Sequence, residues 1–154
     1  MTDQEYMHHC ITLAQMAEAI DEVPVGAIVV ARGQIVGMGF NQRETRRCAT
    51  AHAEILAIEQ ACKTMGGWRL PDSTLYVTME PCPMCAGAII NARIGRVVWG
   101  ANDLRFGAFG SLLNLAEQPL NHKPALCGGV MEEECRTLLQ DYFRAKRTKS
   151  NQKG

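Results

Sequence analysis

The sequence predicts an α/β fold with helices on both faces of a mixed sheet of about five strands. Short apolar runs of strand length alternate with segments in which apolar residues recur every three or four positions, as on one face of a helix. The first two runs are separated only by Arg32-Gly33, a tight-turn signal, and therefore form a hairpin. The later runs are separated by helical segments, which implies parallel crossovers. The 154 residues are predicted to form a single domain.

The N-terminal half begins with a helix and continues into the hairpin. Apolar residues at steps of four and three define the helix: Tyr6, Cys10, Leu13, Ala17 and Ile20. A nearly unbroken apolar run predicts the first strand over residues 25–31, and the second strand covers residues 34–40. A polar loop follows and leads into a second helix with apolar positions between residues 55 and 65.

The C-terminal half continues the alternation of strands and helices. Strands are predicted over residues 74–78 and 96–100, with a third helix over residues 85–92 between them. A short fifth strand is predicted near residues 124–127. The chain ends in a helix whose apolar stripe is formed by Met131, Cys135, Leu138, Tyr142 and Ala145.

Composition is that of a globular protein, with 47% hydrophobic and 21% charged residues. The acidic, polar N-terminus leads into no apolar signal core, and no run approaches the ~20 apolar residues of a membrane span. Seven cysteines without a secretion signal suit a reducing compartment. We therefore expect a cytoplasmic protein without a membrane partner.

Charge is balanced overall, but two segments are basic. The net charge is zero, so composition alone gives no reason to expect a nucleic acid partner. Residues 144–149 contain four basic and no acidic side chains, and Arg43, Arg46 and Arg47 cluster in the polar loop. The basic segment at the end of the chain is either a nucleic acid contact or merely a solvated tail.

Two short motifs supply the chemistry: His52-Ala53-Glu54 and Pro81-Cys82-Pro83-Met84-Cys85. His52, Cys82 and Cys85 are three zinc-type ligands, and a three-ligand set leaves the fourth tetrahedral position open for water, as in catalytic zinc sites. Glu54 is then free to move protons. This combination is the signature of the zinc-dependent nucleobase deaminases. The sequence therefore predicts one catalytic Zn²⁺ per chain.

The predicted elements bring the two motifs together. Each motif lies where a strand or loop leads into a helix, and such helix N-termini line the binding crevice of open α/β sheets. The positive ends of the helices favour the thiolate form of Cys82 and Cys85, which is the form that binds zinc. Pro81 and Pro83 fit this placement because proline is tolerated at and just before the first turn of a helix.

Two other interpretations of the cysteines stay open at this point. Pro-Cys-x-x-Cys after a strand is also typical of thioredoxin-like redox proteins, although a redox protein leaves His52-Ala53-Glu54 unexplained. Cys48 lies four residues before His52 and could close a structural zinc site as a fourth ligand.

The chain also resembles the bacterial tRNA-specific adenosine deaminases along nearly its whole length. The matching segments, beyond the two motifs, are Glu22-Val23-Pro24-Val25-Gly26-Ala27, Gly39-Phe40-Asn41, residues 75–88, residues 93–98, residues 107–111, Asn121-His122 and residues 142–147. The zinc motifs are common to the whole cytidine and deoxycytidylate deaminase superfamily. The loop between residues 100 and 111 and the aromatic, basic ending narrow the resemblance to the tRNA enzymes.

The resemblance implies a fold, an activity and partners. The fold would be a cytidine-deaminase-like three-layer α/β/α sandwich. The activity would be conversion of adenosine to inosine at the wobble position of a tRNA anticodon stem-loop by a homodimer. A small-molecule deaminase acting on guanine, cytosine or cytidine is the alternative within the superfamily.

The resemblance also implies roles for individual residues. His52, Cys82 and Cys85 would hold zinc, and Glu54 would move protons between water, the base and the departing ammonia. The residues expected to contact substrate or flanking RNA are Val25, Asn41, Ala53, Pro81, Asp103, Phe143 and Arg144. The simpler alternatives are a strand-end turn residue for Asn41 and a cap for Asp103.

Some positions depart from the family's pattern. Cys48-Ala49 stands where its members usually carry Asp-Pro, and Leu104, Arg105 and Phe106 stand where smaller or lysine-bearing residues are usual. By default the aromatic side chains of Phe106, Phe109 and Tyr142 are expected in the core.

Overall fold

The computed structural model describes residues 1–153, with side chains over residues 1–150, so the end of the predicted basic tail lies outside the described side chains. Four helices and five strands alternate along the chain, with a short 3₁₀ helix at Leu115–Glu117. The helices are α1 (Asp3–Ala19), α2 (Ala53–Met65), α3 (Pro83–Asn91) and α4 (Glu132–Lys153). The strands are β1 (Gly26–Ala31), β2 (Gln34–Phe40), β3 (Ser73–Met79), β4 (Arg96–Ala101) and β5 (Ala125–Cys127).

The five strands form one mixed sheet in the order β2-β1-β3-β4-β5, which confirms the predicted sheet. Strand β1 is antiparallel to both β2 and β3, whereas β3, β4 and β5 are parallel. Strands β2 and β3 therefore run in the same direction, and α2 crosses over β1 to connect them. The hairpin turn has positive φ at Arg32 (51°) and Gly33 (75°), as in the type I′ turns that match the twist of paired strands.

Helices cover both faces of the sheet, so the predicted three-layer arrangement is confirmed. One core lies between the sheet and the helices α2 and α3, and includes Val29, Ala57, Leu75, Ile89 and Val97. A second core lies between the opposite face and the helices α1 and α4, and includes Met7, Cys10, Ile28, Val98 and Cys135.

Close packing between β2 and α2 places the first motif. A Cβ atom at Gly39 would lie 2.5 Å from the carbonyl oxygen of Ala53, so no larger residue fits there without a shift of the helix. The first turn of α2, which carries Glu54, is thereby held against the end of β2. Helix α3 begins just after β3 ends, so Cys82 lies at the same edge of the sheet as His52.

One helix boundary and one side chain differ from the sequence expectations. Helix α4 continues to Lys153, well past the last apolar position of its stripe, and residues 146–150 are exposed. Phe109 and Tyr142 are buried as expected, but Phe106 is 58% exposed. The prediction of a core position for Phe106 was wrong because the loop after β4 holds this side chain at the surface. Within residues 1–153, no helix combines the length and the apolarity that a membrane crossing requires.

Candidate active site

Three side chains at two helix N-termini converge on one point. His52 is the N-cap residue of α2, Cys82 is the N-cap residue of α3, and Cys85 lies in the first turn of α3 after Pro83. Neither N-cap side chain makes a capping hydrogen bond, so neither is used to satisfy the N–H groups at the start of its helix. The Nδ1 atom of His52 lies 3.7 Å from the Sγ atom of Cys82 and 3.5 Å from that of Cys85.

This donor set fits a zinc ion. With Zn–S bonds of about 2.3 Å and Zn–N bonds of about 2.0–2.1 Å, sulfur and nitrogen ligands of a regular tetrahedron lie about 3.6 Å apart. The two measured separations match that spacing. Among the described residues, His52, Cys82 and Cys85 form the one group of three or more histidine, cysteine or acidic side chains able to hold a metal ion. Three protein ligands leave the fourth position open, as in catalytic zinc sites.

The protonation of the cysteines favours metal binding. A hydrogen bond with the Cys85 thiol, supported by one with His52, lowers the pKa of Cys82 to about 4. The same bond between the two sulfurs, together with burial, raises the pKa of Cys85. Cys82 is therefore already a thiolate at neutral pH, which is the form that binds zinc.

Glu54 lies beside the ligands in the first turn of α2 and is almost completely buried. Burial raises the pKa of its carboxyl group to about 7, because removal from water disfavours the charged form. A carboxyl group with this pKa exchanges protons readily at neutral pH, which is what a general acid and base requires.

The site opens into a cavity of about 200 Å³. Its wall contains seven of the residues predicted for the site: Val25, Asn41, His52, Ala53, Glu54, Cys82 and Asp103. Residues from the ends of β2, β3 and β4 and from the first turns of α2 and α3 thus surround one space. Cys85 lies behind this wall, fully buried.

Asn41 and Asp103 line the cavity and also stabilise local turns. The Asn41 side chain donates a hydrogen bond to the carbonyl of Val23 and accepts one from the backbone N–H of Arg43. Asp103 Oδ1 accepts hydrogen bonds from the backbone N–H groups of Arg105 and Phe106. The turn and cap interpretations therefore hold for both residues, and their predicted substrate contacts stay predictions.

The remaining predicted residues lie around the cavity rather than in its wall. Phe143 lines a groove beside the cavity, and the two spaces share Val23, Asn41 and Arg43. Arg144 forms an exposed ion pair with Asp141, with 3.6 Å between the charged atoms. The Pro81 carbonyl accepts a hydrogen bond from the N–H of Ala108, which ties the loop after β4 to the cysteine motif.

Five further residues line the cavity that the sequence alone did not single out for the site: Val23, Arg43, Met79, Glu80 and Phe106. Glu80 is buried, and its carboxylate accepts hydrogen bonds from the backbone N–H groups of Asp103, Phe109 and Ser111 and from the Ser111 hydroxyl. An acidic residue directly before the cysteine motif was the available signal, but its partners are more than twenty residues away in the sequence.

Cys48 lies outside the ligand cluster. Its side chain is exposed, and its Sγ atom is 3.3 Å from the Thr50 hydroxyl oxygen. We expect Cys48→Ser to retain about one zinc per chain, because a fourth protein ligand would close the open position that water needs. Metal analysis of the purified variant beside the parent checks this result. Loss of zinc from the variant would indicate a closed structural site instead.

Comparisons with known proteins agree with this geometry. The model of the MafB19-like deaminase family matches residues 1–147. A tRNA-specific adenosine deaminase of Bacillus subtilis is 48% identical over 96% of this chain and 92% of its own length. A solved structure from work on A-to-I editing by tRNA:A34 deaminases at the wobble position superposes with a TM-score of 0.85 and 40% identity, over 88% of this chain and 99% of that one.

A more distant similarity connects the chain to a small-molecule enzyme. A guanine deaminase structure from Nitrosomonas europaea superposes with a TM-score of 0.76, covering 90% of this chain and 83% of that one, at 26% identity. The same fold is therefore found in both kinds of deaminase. This chain has the higher sequence identity to the tRNA deaminases. The family model covers residues 1–147 and the Bacillus subtilis tRNA-specific adenosine deaminase is 48% identical over 96% of this chain, so the chain belongs to the MafB19-like deaminase family, in the group of the tRNA-specific adenosine deaminases.

Proposed function

We propose that this chain hydrolytically deaminates adenosine to inosine at the wobble position of a tRNA anticodon loop. The observation that carries the proposal is the buried Glu54 beside the His52, Cys82 and Cys85 cluster, in a chain 48% identical to a tRNA-specific adenosine deaminase over nearly its whole length. Membership of the deaminase family argues against the interpretation of the cysteine pair as the active site of a thiol redox protein. In this proposal the whole chain acts as one deaminase domain that ends in a basic helix and tail, residues 131–154.

The proposed cofactor is one Zn²⁺ per chain, held by His52, Cys82 and Cys85. When bound, zinc would lower the pKa of water and so supply a nucleophile at neutral pH. The spacing of the nitrogen and sulfur atoms and the thiolate character of Cys82 support this assignment.

Glu54 moves the protons in the proposed mechanism. Its carboxylate accepts a proton from the attacking water and donates it to N1 of adenine, then accepts the proton of the new C6 hydroxyl and donates that one to the amino group, which departs as ammonia. One group can do both because its pKa of about 7 keeps both protonation states accessible at neutral pH. Its burial in the cavity wall keeps the proton from bulk water.

The substrate contacts proposed for this site fall into two groups. Val25, Asn41, Ala53 and Asp103 line the cavity and would surround the flipped nucleoside, with the Pro81 backbone beside the base edge. Phe143 and Arg144 lie on α4, outside the cavity, where flanking nucleotides would pass. Recognition of a splayed loop needs such contacts because unstacked bases and phosphates must be held beyond the base pocket.

The residues on α4 outside the cavity distinguish a tRNA enzyme from the small-molecule alternative. A guanine or cytidine deaminase needs only the cavity, whereas a tRNA enzyme needs positive charge beside it. Arg147 follows Phe143 by four residues and therefore lies on the same side of α4 as the groove. Lys146 is engaged with Asp21 at 2.8 Å, so its replacement would disturb the contact between α4 and the segment after α1.

We expect the double charge reversal Arg144→Glu with Arg147→Glu to weaken editing of an anticodon stem-loop. Each lost phosphate contact should lower the slope of log affinity against log salt by roughly 0.7 to 0.9. Zinc content and thermal unfolding should match the parent, since both side chains are exposed. Binding and deamination of the stem-loop across a salt series measure the effect, with free guanine and cytidine as competing substrates.

A matched control carries the same charge change at the opposite edge of the sheet. Arg32 lies in the hairpin turn, opposite the end of β2 that leads to Asn41, and Lys63 lies in the last turn of α2, opposite the first turn that carries Glu54. The pair Arg32→Glu with Lys63→Glu should edit the stem-loop like the parent. If the α4 variant also edits like the parent at every salt concentration, the basic helix is a solvated tail.

The homodimer and the cytoplasmic location are part of the same proposal. Exposed apolar side chains, among them Trp68, Leu112 and Leu113, provide surface that a second copy could cover. None of the seven cysteines is in a disulfide, as expected in a reducing compartment. Light scattering of the purified protein measures the oligomeric state directly.

A further inference from the structure

Phe106 is an exposed aromatic residue in a loop whose backbone is held by hydrogen bonds. It lies in the loop after β4, its side chain is 58% exposed, and it lines the catalytic cavity together with Glu54, Asn41 and Asp103. A large apolar ring at the mouth of an aqueous cavity contributes little to the stability of the fold, because most of its surface stays in water. Its position beside the cavity leaves the ring accessible to a ligand that enters the cavity.

The loop around Phe106 is fixed by its own hydrogen bonds. The backbone N–H of Phe106 donates to Asp103 Oδ1 at 3.2 Å, and the N–H of Gly107 donates to the Asp103 carbonyl at 2.8 Å. The next residue, Ala108, donates to the Pro81 carbonyl at 2.9 Å. The turn that carries Phe106 is thus attached to the segment that carries Cys82.

The side chain of Glu80 also fixes this loop. Its carboxylate is 2% exposed and accepts backbone hydrogen bonds from Asp103 on one side of Phe106 and from Phe109 and Ser111 on the other, at 3.1–3.2 Å. A buried carboxylate bound to several N–H groups makes strong, charge-assisted bonds. The backbone that carries the ring is therefore fixed before any ligand arrives, so little backbone entropy is lost when a ligand stacks on the ring.

We infer that Phe106 is a stacking platform for a base adjacent to the target adenosine. This inference rests on the proposed function. A target nucleotide whose base enters the cavity must leave a neighbouring base at the rim, and an aromatic face is the surface on which an unstacked base is most readily held. Arg43 lines the same cavity and brings a positive charge for the connecting phosphates.

Substitutions at position 106 separate stacking from simple apolar contact. Phe106→Ala should lower kcat/KM for an anticodon stem-loop by on the order of ten- to a hundredfold, the range expected when one base loses its aromatic partner. Phe106→Tyr and Phe106→Trp should retain most of the parent value, and Phe106→Leu should fall toward the alanine variant. Leu104→Ala is the matched control, because Leu104 is 80% exposed in the same loop but does not line the cavity.

A second substrate identifies the partner of the ring. Stem-loops that lack the base on the 5′ or the 3′ side of the target adenosine are deaminated by the parent and by Phe106→Ala. If the ring stacks on one of these bases, removing that base lowers the kcat/KM of the parent as much as the alanine substitution does. Removing the base and the ring together then lowers kcat/KM no further than removing either one alone. If Phe106→Ala lowers kcat/KM by the same factor on both abasic stem-loops as on the intact one, the inference is wrong.

The controls keep this inference distinct from the proposed function. A parent protein that leaves the intact stem-loop unedited contradicts the proposed function itself, whereas equal editing by parent and Phe106→Ala contradicts only the role of Phe106. Zinc content and thermal unfolding of Phe106→Ala should equal those of the parent. If light scattering shows a changed oligomeric state for this variant, the ring is a contact between protein copies and the inference is wrong.

Discussion

Glu54→Gln is expected to retain zinc and to lose nearly all deamination. Glutamine preserves the size of this buried side chain but cannot accept or release the protons that the reaction moves. General acid and base groups typically contribute on the order of 10²- to 10⁴-fold, and a group that serves several steps contributes more. Single-turnover deamination of an anticodon stem-loop, with metal analysis of the same preparation, measures both quantities.

The control for this variant lies on the same helix. Glu59 is an exposed carboxylate in α2, so Glu59→Gln makes the same chemical change away from the cavity and should leave turnover at the parent level. Parent-like turnover in Glu54→Gln would remove Glu54 from the mechanism. Loss of zinc from that variant would mean that the carboxylate is a ligand.

Cys82→Ala is expected to lose both the metal and the activity. With one of three ligands removed, only His52 and Cys85 remain, and two ligands do not make a catalytic zinc site. Cys82 is only partly buried, so its truncation leaves the core packing intact, whereas truncation of the fully buried Cys85 would also open a cavity. Metal analysis and thermal unfolding together distinguish loss of the ligand from loss of the fold.

A matched cysteine substitution completes this test. Cys62→Ala removes another partly buried thiol, on α2 but outside the ligand cluster, and should retain zinc and activity. Stoichiometric zinc in Cys82→Ala, or full activity in a metal-free preparation of the parent, would contradict the zinc assignment.

The elements best predicted from sequence are those bounded by local signals. Strand β2 spans the predicted residues 34–40, because Arg32-Gly33 marks its start and a polar loop marks its end. The end of α4 could not be predicted from its apolar stripe, because a helix that projects past the core needs no apolar residues. Packing against the core explains which residues of α4 are buried, but it does not determine where the helix ends.

The clustering of the candidate ligands was predictable because their chemistry is concentrated in two short motifs. His52, Cys82, Cys85 and Glu54 lie within a few residues of helix starts, where residue type and spacing suffice. Phe106 was assigned to the core because it is aromatic. No neighbouring residue in the sequence indicates that a loop holds its side chain at the surface. That information lies in the long-range hydrogen bonds of Glu80, which only the three-dimensional structure contains.

The central claim is conversion of adenosine to inosine at the wobble position of tRNA. Its most direct test is incubation of the zinc-loaded protein with total tRNA, followed by mapping of inosine along each tRNA, with Glu54→Gln as the inactive reference. We expect inosine at the first anticodon position of tRNAs that carry adenosine there, in the parent reaction only. Unchanged tRNA beside efficient turnover of free guanine or cytidine would contradict the claim and place the chain with the small-molecule deaminases.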